Sequence, residues 1–144
     1  MSNVLLPHPT NGTSYFGAIP ECKSRGVIIP PGPIVLKVGK YREQGGFGAA
    51  HIWGKHSAEL IREGYETAEK VSAYVADIVH PGAPILFEYG SLAGVKVTIV
   101  RSTLGLAILR YEEMDGGRYS VTTAYAQKNA HGTRIGTVGT WENS

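Results

Sequence analysis

One cysteine, Cys22, stands in the whole chain. No intramolecular disulfide can form, and a zinc site built on several cysteines is excluded. Cys22 reads as a structural or surface thiol rather than a nucleophile. Long apolar runs are missing too. None reaches ten residues, whereas a membrane-spanning helix needs about 20. No charged segment precedes an apolar one near the start, so no signal peptide is read. Dense Lys/Arg clusters are also lacking, and the net charge is only +2, with an isoelectric point near 8.7. A non-specific nucleic-acid binder shows broad basic patches, so any contact with a polyanion is expected in a localised cleft.

What is present suits one folded, cytosolic-type domain. Apolar residues make up 42% of 144, an ordinary globular share for a chain of this length. Residues 1–33 hold Pro7, Pro9, Pro20, Pro30, Pro31 and Pro33. Proline removes backbone donors and blocks helices, so this part reads as an irregular arm ahead of a domain spanning 34–144. Ile34–Val38 is a predicted strand and Tyr41–Gly48 a glycine-rich loop. A helix is predicted from about Ala49 to Gly64. It carries Ala49, Ile52, Trp53, His56 and Leu60 on one side and His51, Lys55, Glu59 and Arg62 on the other. A second helix follows Thr67, with Ala68, Val71, Val75, Ile78 and Val79 at helical spacing, and stops at Pro81-Gly82.

From Ala83 the pattern turns to β-branched and aromatic runs: Ile85–Tyr89, Val95–Arg101, Leu106–Glu112 and Tyr119–Tyr125. Ser91–Gly94, Ser102–Gly105 and Asp115-Gly116-Gly117 separate them, the last a strong hairpin signal. The alternation in Lys96-Val97-Thr98-Ile99 implies one buried and one exposed face. A short final strand is expected near Arg134–Val138. The fold class expected is α+β: an irregular arm and two helices, then a four- to five-stranded antiparallel meander.

The densest chemistry lies in His51-Ile52-Trp53-Gly54-Lys55-His56, two histidines and a lysine within six positions. Cleavage of RNA without a metal uses the 2′-hydroxyl as nucleophile, a base to take its proton and an acid to protonate the departing 5′ oxygen. Histidine titrates near neutral pH and suits both roles. A lysine or arginine can stabilise the charge that develops on phosphorus. His51 and Lys55 share a helix face, whereas His56 is rotated about 140° from His51 in a regular helix, so one histidine is expected to be catalytic and the other structural. Thr122, Thr123 and Tyr125 follow on one predicted strand, with Thr123 and Tyr125 on the same face. Their hydroxyls are fit to bind phosphate, and the Tyr125 ring to stack on a base. Arg62 and Arg110 are further candidate cations, and the helix N-terminal amides behind Gly45-Gly46-Phe47-Gly48 could also hold a phosphate. A zinc site is disfavoured, since His51 and His56 are five apart with no glutamate after His51, unlike the four-residue spacing of a helical zinc pair.

The stretch Gly48–His56 resembles the His-x-x-x-Lys-His signature of small bacterial and phage ribonuclease domains, the broad group of barnase, EndoU, colicin-type and RelE-like nucleases. It is also similar to the RNase A-like toxin domains of contact-dependent inhibition systems. The resemblance implies a helical lobe before an antiparallel sheet. It also implies RNA cleavage with no metal or other cofactor, often by the C-terminal piece of a larger toxin. A cognate immunity protein as partner follows from it, as does action in the cytoplasm, including that of a target cell after delivery. Carried over by residue, it implicates His51, Lys55 and His56, with Arg62 in the place of a helical arginine and Thr123-Ala124-Tyr125 in that of a late Thr-x-Tyr pair. RNA, with transfer RNA as a first substrate, is the partner expected, and no membrane.

Two other readings compete. A non-enzymatic phage or secretion-system binding domain would bury His56 and leave no site joining the helix to the last meander strand. An ADP-ribosyltransferase would use Glu112 or Glu113, but the Arg, Ser-Thr-Ser and Glu set of that chemistry does not occur in order.

Overall fold

A computed structural model describes residues 1–24, 26–88, 97–127 and 132–141. Part of the predicted meander (Tyr89, the Ser91–Gly94 turn, Val95 and Lys96) and His131 lie outside the described residues. The chain forms strands β1 (Gly17–Ile19), β2 (Cys22–Ser24), β3 (Val27–Ile29) and β4 (Gly32–Val35). Helix α1 (Gly48–Arg62), a 3₁₀ turn (Ala68–Lys70) and helix α2 (Val71–Ile78) follow. Strands β5 (Pro84–Glu88), β6 (Val97–Arg101), β7 (Leu106–Glu112), β8 (Arg118–Tyr125) and β9 (Thr133–Thr137) complete it. This is an α+β fold, as the change of periodicity at Ala83 implies. Among the described residues no helix is long and apolar enough to cross a membrane.

The helices end where local chemistry stops them. After Arg62 comes Glu63, whose amide still bonds to Glu59 and Leu60, and then Gly64 at φ 98°, a conformation that ends helices. Thr67 is extended and precedes the 3₁₀ turn, though its side chain makes no cap. Tyr74, Val75 and Ile78 of α2 pack with Ile52 and Leu60 of α1 against one face of the sheet. At the Asp115-Gly116-Gly117 turn all three residues take positive φ, and β7 and β8 pair antiparallel on either side.

The sheet is larger and less regular than a four- to five-stranded antiparallel meander. It has seven strands in the order β1-β4-β8-β7-β6-β5-β9. The β4–β8 pair is parallel, Ile34 lying opposite Tyr119. Such a pair needs a long crossover, here the whole stretch from α1 to β7, and no local pattern announces it. The final strand pairs with β5 instead of following β8. Nor is the stretch 1–33 irregular throughout. It supplies β1, β2 and β3, and it places Phe16, Ile19 and Ile29 in the main core. Strands of three residues are too short to show alternation in the sequence. The sheet curls on itself: Ala18 of β1 and Gly139, just past β9, exchange backbone hydrogen bonds of 2.8 and 2.9 Å.

A β-bulge interrupts β8. Leu109 lies opposite Val121 but Ile108 lies opposite Thr123, so Thr122 is the extra residue. Tyr119, Val121 and Ala124 enter the helix-side core. Tyr125 instead joins a second cluster with Leu86, Ile99, Leu106 and Ile108. The bulge sets which hydroxyls and rings of β8 turn away from the core.

Candidate active site

Helix α1 is pinned at its start. The amides of Ala49 and Ala50 donate to the carbonyls of Lys37 and Val38 at 3.0 and 2.9 Å. Two of the donors expected to be free for a phosphate are therefore committed to the segment that continues β4. That anchoring carries the His-Lys-His run across the end of β8.

His51 does not lie on the polar, solvent-facing side expected of it. It is 7% exposed. The Tyr41 ring stacks over it at 6.0 Å, seated where Gly54 leaves room, since any side chain at 54 would run into that ring. On the other side the backbone of Gly46 lies against Nδ1, and a methyl group there would collide with it. The glycine-rich loop thus covers His51. Its Nδ1 is buried and makes no well-formed hydrogen bond, although the Arg42 backbone lies close enough to act on the ring. Burial lowers the His51 pKa, and the charges of Lys55 and His56 lower it further, against a backbone contact with Arg42.

His56 breaks the helix. Its φ of −126° and ψ of 17° are not helical, so the 140° separation of a regular helix does not apply. The imidazole packs on Tyr125 with ring centroids 5.1 Å apart and planes inclined by 26°. Its Nδ1 lies 3.1 Å from Glu59 Oε2, and the same oxygen accepts from the Ala126 amide at 3.4 Å. Glu59 therefore ties α1 to the end of β8 and orients the ring, leaving Nε2 for other partners. Burial lowers the His56 pKa, Glu59 opposes this by charge and hydrogen bond, and Lys55 lowers it. Both histidines are thus biased toward the neutral, proton-accepting form.

The other candidates divide. Lys55 is exposed beside the two histidines, and its charge is felt by both. Thr123 shares a sheet face with Tyr125, and its Oγ1 is buried and unpartnered. Thr122 is differently placed: its hydroxyl donates to the Ile108 carbonyl at 3.0 Å, across the bulge. Arg110 stands opposite Ser120 on β7 and is exposed. Arg62 is exposed at the end of α1, and no interaction among the described residues joins it to His51, His56 or Tyr125. Of the three buried polar side-chain atoms without a well-formed hydrogen bond among the described residues, two belong to His51 and Thr123 and the third is the Tyr74 hydroxyl.

Glu59 is a site residue that helical periodicity places only on the polar face. Its signal was the three-residue step from His56, which sets two helical side chains within reach. Lys37 carried no signal, because its partner Glu112, 2.6 Å away, lies 75 residues on. Arg118 holds the other Glu112 oxygen at 2.9 Å. Burial pushes the Glu112 carboxyl up, but the hydrogen bonds and charges of Lys37 and Arg118 outweigh it and hold it below the ordinary value. An acid clamped by two cations is poorly placed for the transferase chemistry considered above. No cluster of three or more His, Cys, Asp or Glu able to hold a metal occurs among the described residues. Compared with known proteins, the chain matches no protein-family model, no curated protein and no solved structure.

Proposed function

We propose that this chain is a metal-independent endoribonuclease and acts as a toxin domain, with RNA as substrate and a cognate immunity protein as its natural inhibitor. The observation that carries the reading is the setting of His56, with one ring nitrogen on Glu59 at 3.1 Å and its face on Tyr125 at 5.1 Å. A histidine held by a carboxylate at one nitrogen is oriented to exchange a proton at the other. In the proposed reaction Nε2 of His56 takes the 2′-hydroxyl proton, and the freed oxygen attacks the adjacent phosphorus. The bond to the 5′ oxygen breaks as that oxygen takes a proton from water, which the His56 imidazolium then replaces, leaving a 2′,3′-cyclic phosphate, a 5′-hydroxyl end and neutral His56. Glu59 stabilises the imidazolium that forms. Lys55 supplies positive charge beside the phosphate.

The test is cleavage of total transfer RNA in EDTA by the wild type and by His51→Ala, His56→Ala and Glu59→Gln. His56→Ala is expected to lose about 100-fold or more, and Glu59→Gln less, with cyclic phosphate ends on the products. A folded wild type that cleaves no RNA would overturn the reading and favour the non-enzymatic binding domain.

A further inference from the structure

The bulged strand and its neighbours carry a second polar feature, separate from His56 and Tyr125. Ser120 and Thr122 alternate on β8 with the core residues Tyr119 and Val121. With Lys37, Arg110 and Glu112 they line a cleft of about 380 Å³, whose remaining wall includes the Gly45-Gly46-Phe47 loop. That volume suits a nucleotide-sized group. Its charge is positive. Glu112 is shared between Lys37 and Arg118, and Arg118 also pairs with Asp115, so that cluster is balanced in charge. The surplus is Arg110, whose guanidinium makes no ion pair or hydrogen bond among the described residues. An arginine left unpaired at the mouth of a polar cleft is built to take a phosphate through two parallel N–H donors.

We infer that this cleft is a subsite for a second phosphate of a single-stranded RNA, outside the bond that is cut. The inference rests on the ribonuclease reading and extends it, because such a subsite selects polynucleotides over dinucleotides. The spacing fits. Thr122 and Tyr125 are three residues apart on β8, about 10 Å of strand, so a strand whose scissile phosphate lies at His56 runs on toward Arg110.

The test uses a short 2′-O-methyl oligoribonucleotide, which the proposed chemistry cannot cleave. The wild type is expected to bind it with an affinity that falls as salt rises. Arg110→Gln is expected to weaken binding about tenfold at low salt and to flatten the salt dependence by about one phosphate contact, with Arg110→Lys restoring the slope. In a second arm, unmodified RNA oligomers and dinucleoside monophosphates are compared as substrates. The wild type is expected to favour the oligomer in kcat/KM, and Arg110→Gln to shrink that preference through KM. Unchanged binding and slope in Arg110→Gln, no binding by the wild type, or equal losses on both substrates would each overturn the subsite. Arg110-dependent binding without any cleavage would support the cleft and overturn the ribonuclease reading instead.

Discussion

At the scale of single residues, the chemistry of α1 is a contest over the His56 proton. Burial lowers its pKa, Glu59 raises it and Lys55 lowers it. A general base must be unprotonated, so its activity fails as pH falls through its pKa. The acid limb of the kcat/KM profile is therefore expected below 6.5, the ordinary histidine value. Lys55→Ala removes a lowering charge and is expected to move that limb to higher pH. Glu59→Gln removes a raising charge and is expected to move it lower. Limbs that stay in place, or that shift the same way in both variants, would take His56 out of the base role. The residue types at this site were legible from the start, since two histidines and a lysine in six positions are visible in any reading of the chain. The burial of His51 was not. It depends on Tyr41 and Gly46 folding back over the helix, and helical periodicity alone put His51 on the polar side.

At the scale of elements, the lengths and ends of both helices and of β7 and β8 follow closely from turn residues and periodicity. The kink at His56 does not, because no proline marks it; the ring is held between Tyr125 on β8 and Glu59 on its own helix. The joints between elements are likewise tertiary. Lys37 just beyond β4, Glu112 at the end of β7 and Arg118 at the start of β8 form one ion cluster. Glu112→Gln is expected to destabilise the fold by about 2–3 kcal/mol at neutral pH, since breaking a largely buried pair leaves its partners uncompensated. The folded-state pKa of Glu112 is depressed. Its contribution is therefore complete above the unfolded carboxylate value and is lost as pH falls through the lower folded one. Urea unfolding of wild type and variant should show a gap at pH 7 that closes in acid; a gap of constant size would mean that charge is not its source.

At the scale of the whole molecule, the proline-rich first quarter is part of the core rather than an appendage. Phe16 is buried with Ile19 and Ile29 among the helix and sheet side chains, and β1 meets the backbone beyond β9. Phe16→Ala is expected to cost about 3–5 kcal/mol in a single cooperative urea transition; a loss below about 1 kcal/mol would show the arm to be accessory. By itself the sequence determined the α+β class, the two helices, the strands from β5 to β9 and the residues worth testing, because these depend on side-chain patterns over a few consecutive positions. Tertiary structure alone decided the parallel β4–β8 pair, the curl of the sheet, the cover over His51, the partnership of His56 with Tyr125 and the clamp on Glu112. Each of these joins groups distant along the chain, and only the packing of one shared core brings them within contact of one another.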